Sequence, residues 1–285
     1  MQKTGWLIYA QTDANDNQSY IDWFMEEAAL QQIDLKLIIR ENLSIGILNN
    51  KRAVLLDGQP VPLPDFVIVR VLEPLLNLHF EALGVRSFNS AAVSQICNHK
   101  AMTHHTVHSL GIPMVDTFFF KKDQLGSTPP MSFPFVMKEC TGRSGKQVYF
   151  IETEDDWNTA LDALGTPDVV IQSCDVQLGR DVRVFIVGKE IIGAVLRKST
   201  SDFRANFKLG GSAEVFPLDG KKTELIHKII GHFDFGMVGI DFLIDHQGDF
   251  LFNEIEDVVG SRILSATTDT NILQKYIAYI KKCLA

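Results

Sequence analysis

Gly239-Ile240-Asp241-Phe242-Leu243-Ile244-Asp245-His246-Gln247-Gly248-Asp249-Phe250-Leu251-Phe252-Asn253-Glu254-Ile255-Glu256 brackets two apolar runs with acids that a hydrophobic core does not accommodate. Ile240, Phe242 and Ile244 alternate with Asp241, Leu243 and Asp245, and a polar turn around Gly248 follows, which is the pattern of a β-hairpin. In the second strand Phe250, Phe252, Glu254 and Glu256 have the same parity, so they are expected on one face, with both glutamates pointing the same way. If Asp241 faces them, three carboxylates crowd one spot, and that arrangement calls for a hard cation or bound protons. A pair of acids at a strand end more often simply faces water, so the rest of the chain has to decide.

Upstream, the apolar run Phe133-Pro134-Phe135-Val136-Met137-Lys138 predicts a buried strand ending in a lysine. Thr141-Gly142-Arg143-Ser144-Gly145-Lys146 then predicts a turn whose amides approach an anion without obstruction by Cβ atoms, as a phosphate cover requires. It is not a Walker loop, because its glycines are too close together and Gln147, not a hydroxyl residue, follows Lys146. Between this loop and the acidic hairpin, residues 178–197 form a second Val- and Ile-rich hairpin around Gly188-Lys189-Glu190, with Asp181, Arg183 and Arg197 at its ends. A polar loop from Asp202 to Gly211, carrying Arg204, comes next. Arginines and lysines beside carboxylates and a phosphate cover suit phosphoryl transfer, whose transition state is stabilised by positioning and positive charge.

Lys100 ahead of a helix, Lys138 closing a strand, the Gly-rich loop, Arg180-Asp181-Val182-Arg183-Val184-Phe185-Ile186-Val187-Gly188, Asp202-Phe203-Arg204-Ala205-Asn206, Gly210-Gly211, Gly239-Ile240-Asp241 and Glu254-Ile255-Glu256 occur in this order. The series resembles the ATP-grasp superfamily, above all its RimK-like carboxylate–amine ligases, which include ribosomal-protein glutamate ligases and amino-group-carrier ligases of lysine biosynthesis. The resemblance is strongest from about Phe88 to Glu256 and weaker before it.

That likeness implies an ATP-dependent ligase that forms an amide through an acyl phosphate and releases ADP and phosphate. Lys100 and Lys138 would contact ATP, under a loop containing Gly142, Arg143, Ser144 and Gly145. Gln172 and Ser173, at the end of the strand from Val169, would line the adenine, with Asp181 near the ribose. Arg183 and Arg204 match the arginines on the transferred phosphoryl group. Asp241 and Glu254 match the ligands of Mg²⁺ (or Mn²⁺), and Glu256 takes the third position. Three departures stand out: Glu256 replaces an asparagine and lacks the usual Pro-Gly turn after it, Ser173-Cys174-Asp175 replaces the usual hinge residues, and Gln147 replaces a glycine of the covering loop.

Composition fits this reading. The chain has 285 residues, 46% of them hydrophobic, and a net charge of −8, which argues against general nucleic-acid binding. Its 4 cysteines are widely spaced without a Cys-x-x-Cys pair, which fits a reducing cytoplasm. The early apolar run Trp6–Ala10 is too short for a signal peptide or membrane span. It starts a β-α-β unit: a strand over Gly5–Ala10, a helix over about Tyr20–Gln31 and a strand over Leu35–Ile39, with another strand at Phe66–Arg70. The loop after the first strand lacks Gly-x-Gly-x-x-Gly, so no dinucleotide site is expected there. His99, His104, His105 and His108 could pair along a helix, but no glutamate stands where a zincin needs its base and Lys100 repels a cation. Punctuation divides the chain into an α/β domain (residues 1–89), an α+β lid (90–175) and an α+β subdomain with the metal site (176–285), and a closing helix runs from about Thr270 to Lys282. The expected partners are a small-molecule or peptide carboxylate and an amine, and a homo-oligomer is compatible with this picture. Acceptor choice would lie in the loops Asp202–Gly211 and Asp257–Thr270, which leave both co-substrates open. The alternatives are a nucleotide-binding module of the same fold without turnover, and ligation to a thiol.

Overall fold

The structure, a computed structural model, describes residues 2–142, 147–200, 202–205 and 211–285. Strand β1 (Lys3–Tyr9) leads through α1 (Gln11–Asp16) and α2 (Gln18–Leu30) to β2 (Ile33–Ile39), its parallel neighbour. A small antiparallel sheet of β3 (Leu43–Leu48), β4 (Lys51–Leu56) and β5 (Gln59–Pro60) intervenes. The chain then returns through β6 (Phe66–Val69), α3 (Pro74–Glu81) and β7 (Arg86–Phe88) to complete a parallel sheet in the order β2-β1-β6-β7. Trp6, Ile8, Val67 and Val69 enter one core, whereas Leu7, Tyr9, Phe66 and Ile68 enter another. A parallel strand covered on both faces reads as an unbroken apolar run, and Trp6–Ala10 does so.

Next come α4 (Ala91–Cys97), α5 (Lys100–His108), β8 (Thr117–Lys121), β9 (Phe135–Glu139), β10 (Val148–Ile151), α6 (Glu154–Ala163) and β11 (Asp168–Ser173). Their strands form an antiparallel sheet ordered β10-β9-β11-β8. Phe135, Met137, Val169 and Ile171 pack on Trp157 of α6. By the period of a strand, Val136, Lys138, Val170 and Gln172 therefore face the opposite way, with Lys138 directly across from Val170.

The remaining elements are β12 (Arg180–Val187), β13 (Glu190–Lys198), β14 (Ser212–Val215), α7 (Gly220–His232), β15 (Met237–Ile244), β16 (Phe250–Glu256), α8 (Arg262–Thr267) and α9 (Ile272–Cys283). Both hairpins expected from the sequence form, inside an antiparallel sheet ordered β14-β13-β12-β15-β16. Val182, Val184, Ile186, Val238, Ile240 and Phe242 pack against Ile226, Ile229 and Ile230 of α7, and this core also takes in Val93 and Cys97 of α4 and Val107 of α5. The other face of the sheet puts Phe185, Val187, Val195 and Met237 into a core shared with α2 and α9, so the parallel sheet and this one are packed together. Among the described residues no helix is long and apolar enough to cross a membrane.

One expectation needs correction. Phe250 and Phe252 do not lie on the same face as Glu254 and Glu256. Asp241 pairs with Glu254, but the next residue, Phe242, pairs with Phe252, so Asn253 is an extra residue in β16. This β-bulge reverses the parity of the strand. Phe250, Phe252 and Ile255 are buried in the core with α7, while Glu254 and Glu256 come out beside Asp241 on the other face.

Candidate active site

The polar ends of β12, β13, β15 and β16 converge on the face of the sheet that carries Asp241. The Arg183 guanidinium donates from Nε and Nη2 to the two Asp241 carboxylate oxygens, at 2.7 and 2.6 Å, and its Nη1 is ion-paired to Glu256. Arg197 holds Asp181 in the same forked way, at 2.6 and 2.7 Å, and also donates to Asp241 Oδ2 at 2.7 Å. Register explains the set, since Arg183 pairs with Asp241 and Asp181 with Arg197 across neighbouring strands. Burial works against the Asp241 charge, but Arg183 and Arg197 prevail and hold its carboxyl below the usual carboxylate range. At Asp181 burial prevails over the pull of Arg197 and pushes the carboxyl up.

Gly239 makes room for this arrangement. A Cβ on it would lie 2.8 Å from Val259 Cγ2 and 3.3 Å from Arg183 Cδ, so any side chain here would displace the arginine or the loop after β16.

The second half of the site comes from α5 and β9. Lys138 Nζ donates to the side-chain oxygen of Asn253, the bulge residue, at 2.8 Å. No carboxylate among the described residues lies within ion-pair distance of it, and burial, aided by nearby Lys100, brings its pKa down to about 8. Lys100 Nζ donates to the Gly142 carbonyl at 2.6 Å and stands 4.0 Å from Glu254. Behind them, His104 Nδ1 is 2.8 Å from the Lys100 carbonyl and so must carry the proton, which leaves Nε2 to accept from the Gln172 amide at 3.0 Å. Burial, helped by Lys138, holds His104 at about 4, so the ring is neutral. Gln172 also donates to Thr117 Oγ1 at 3.0 Å, and its buried Oε1 has no partner among the described residues.

Of the residues expected from the sequence, Lys100, Lys138, Gly142, Asp181, Arg183, Asp241, Glu254 and Glu256 come together here, with Gln172 beside them and Ser173 next on β11, its amide bonded to the Asp116 carbonyl at 3.0 Å. Arg204 stands in its own loop, forked onto Asp202 at 2.9 and 2.7 Å and lying over the Phe203 ring. Arg143, Ser144 and Gly145 lie outside the described residues. The crowd of carboxylates inferred from the sequence is neutralised by arginines, and no three His, Cys, Asp or Glu among the described residues are disposed to hold a metal ion. Sequence reasoning named Arg197 only as a hairpin end and passed over Asn253 and the structural role of His104. The Asp181–Arg197 register could have flagged the first, and the polar residue breaking the Phe252–Glu254 alternation the second.

Residues 108–280 match the RimK-like ATP-grasp domain. Over 231 residues the chain is 27% identical to glutamate–LysW ligase ArgX of Sulfurisphaera tokodaii, covering 76% of this chain and 82% of that one. It is 26% identical over 247 residues to N-acetylaspartylglutamate synthase A of Mus musculus, covering 81% of this chain and 65% of the relative. The solved D-alanyl-alanine synthetase A of Vibrio cholerae has the same fold, with a TM-score of 0.74 at 15% identity over 100% of this chain and 99% of that one. The chain therefore belongs to the RimK-like ATP-grasp family. Its activity is that of an ATP-dependent ligase that forms carbon–nitrogen bonds.

Proposed function

We propose that this ligase activates a carboxylate by phosphoryl transfer from ATP and joins it to the amine of glutamate or a close analogue, in the cleft between β9–β11 and β12–β16. Lys138 carries the reading. A half-buried ammonium whose described hydrogen-bond partner is the neutral Asn253 is a cation placed for an incoming anion, and the triphosphate supplies one. Lys100 and the loop from Gly142 stand on the same side. Gln172 Oε1, without a partner among the described residues, is an acceptor suited to an amino group on the base, with Ser173 beside it and Asp181 toward the sugar.

The charges suit a metal–nucleotide complex. Asp181, Asp241, Glu254 and Glu256 face Lys100, Lys138, Arg183 and Arg197, so the protein alone is nearly balanced. A triphosphate would upset that balance unless it arrived with divalent cations. Mg²⁺ is commonly held by one or two carboxylates plus phosphate oxygens and water, so a prebuilt cage is not required. Glu254 and Glu256 fit that role, with Mn²⁺ an alternative ion. Asp241 fits it less well, because both its oxygens already accept from guanidinium groups. The metal, when bound, would offset phosphate charge.

In the reaction a carboxylate oxygen attacks the γ-phosphorus and ADP leaves. The amine then attacks the acyl carbon, loses its proton and expels phosphate, so that amide, ADP and phosphate balance the substrates consumed. Arg183, held rigid by Asp241, and Arg204 would supply positive charge to the transferring group. Glutamate is proposed as the amine because both named relatives handle it. We also propose that residues 1–89, 90–175 and 176–285 act as three units, since each sheet lies within one of these spans, and that the enzyme is cytoplasmic, as its free cysteines allow. The test is ADP release with L-glutamate and a panel of carboxylic acids and peptides. Release that requires both an acid and the amine supports the reading; ATP binding without such release would reduce the protein to a nucleotide-binding module.

A further inference from the structure

Arg70 follows β6 directly, and Tyr9 ends β1. These two strands are parallel neighbours, and in the order β2-β1-β6-β7 the chain runs outward from β1 to one side and from β6 to the other. The carboxyl ends of such a pair form the switch-point crevice where open α/β sheets bind ligands. The loop after β1 has no glycine fingerprint, so the crevice is not built for a dinucleotide.

The Arg70 side chain is only 8% exposed. Its Nε donates to the Tyr9 hydroxyl at 3.2 Å and its Nη2 to the Val259 carbonyl at 3.0 Å, and the guanidinium carbon lies 5.8 and 5.7 Å from the Tyr9 and Tyr20 ring centroids. All of these partners are neutral. Nη1 donates to none of the described residues, and none of their carboxylates is in ion-pair range of Arg70. The acids nearest in sequence are already held: Glu73 by Arg40 at 2.5 and 2.6 Å, and Asp65 by the Thr4 amide and hydroxyl at 2.7 and 3.2 Å. A guanidinium stays charged at any ordinary pH, and burying one without a counter-charge is costly. An anion that arrives only with substrate would supply that counter-charge.

The loop that receives Arg70 leads back to the ligase site. It continues from Glu256, and Val259 sits against Gly239, which borders Arg183. We propose that Arg70 binds a non-reacting carboxylate of the amine co-substrate, one loop residue away from the Arg183–Glu256 end of the site. This rests on the ligase reading and adds the residue that recognises the amine. An amino acid must bring its nitrogen to the acyl centre while its own carboxylates are kept from the phosphoryl group. A fixed guanidinium, with Nη1 left over from its bonds to Tyr9 and Val259, does both, and it suits a carboxylate better than a lysine would.

The test is calorimetric titration of L-glutamate into the full chain saturated with Mg²⁺ and a non-hydrolysable ATP analogue. Arg70→Met should weaken glutamate binding roughly 10- to 100-fold while changing nucleotide affinity less than about threefold, the scale of one lost charge-assisted hydrogen bond. Arg70→Lys should fall between the two. L-Glutamine or L-isoglutamine, whichever lacks the bound carboxylate, should bind the wild type about as weakly as glutamate binds Arg70→Met. If Arg70→Met does not fold, Arg70→Lys and Arg70→Gln carry the same comparison. Glutamate affinity unchanged in a variant that only melts earlier would overturn the proposal and make Arg70 a strut between β6 and the loop. A wild type that binds neither L-glutamate nor L-aspartate would also overturn it, whereas ADP release with another amine would leave the ligase reading intact.

Discussion

Lys138 is held by burial at a pKa of about 8, below its ordinary 10.5, and this fixes the sign of two pH effects. Below about 8 the ammonium is charged and attracts phosphate, so ATP affinity is predicted to fall as pH rises through that value. The stability of the nucleotide-free protein moves the other way. The folded pKa is the lower one, so charging the half-buried lysine penalises the folded state at low pH, and stability rises between about 8 and 10.5. Affinity and melting measurements across this window should therefore diverge, and Lys138→Arg should flatten both curves. Arg204 makes a different prediction. Arg204→Met is expected to keep ATP affinity within a few-fold and to lose about 10²-fold in kcat, as when one donor to a transition-state oxyanion is removed. Equal loss in affinity and kcat would assign Arg204 to ground-state binding.

At the scale of elements, the two hairpins were legible because apolar runs in β12, β13 and β15 flank polar turns, even though β13 carries a bulge opposite Phe185–Ile186. Legibility ended at β16. Period-two counting assumes a regular strand, and Asn253, the extra residue, lets the phenylalanines face the core while Glu254 and Glu256 face Asp241. The neutralisation of Asp241 by Arg183 and Arg197 was hidden for a related reason. It depends on the register of β15 against the β12–β13 hairpin, from which it is distant in sequence, and a sequence shows register only within a hairpin. Gly239 tests how tightly this arrangement is packed. Gly239→Ala puts a methyl group against Val259 and Arg183, and it should cost about 1–3 kcal/mol of stability and lower kcat more than it changes ATP affinity. Chemical denaturation and steady-state kinetics would check both, and a neutral substitution would show that the loop after β16 yields freely.

Across the whole molecule, the N-terminal sheet is tied to the catalytic sheet by buried polar groups as well as by a shared core. Asn89 donates to the Met237 and Asp257 carbonyls at 3.1 and 2.8 Å and accepts from the Gly236 and Met237 amides at 2.6 and 3.2 Å. Asn89→Ala would leave these buried groups unpaired, and a loss of about 2–4 kcal/mol in unfolding free energy is predicted, since each abandoned group costs on the order of 1 kcal/mol or more. The order of motifs from Lys100 to Glu256 revealed the fold class, but not this joint, because Asn89 and Asp257 are far apart in the chain and neither belongs to a motif.

The central claim is that a carboxylate is activated as an acyl phosphate before the amine attacks it. The most direct measurement uses a carboxylic acid found in the ADP-release screen, labelled with heavy oxygen in its carboxyl group, and follows the label by mass spectrometry of the products. Transfer of one labelled oxygen into inorganic phosphate for each amide formed is the predicted result. Amide formation that leaves the phosphate unlabelled would contradict the account.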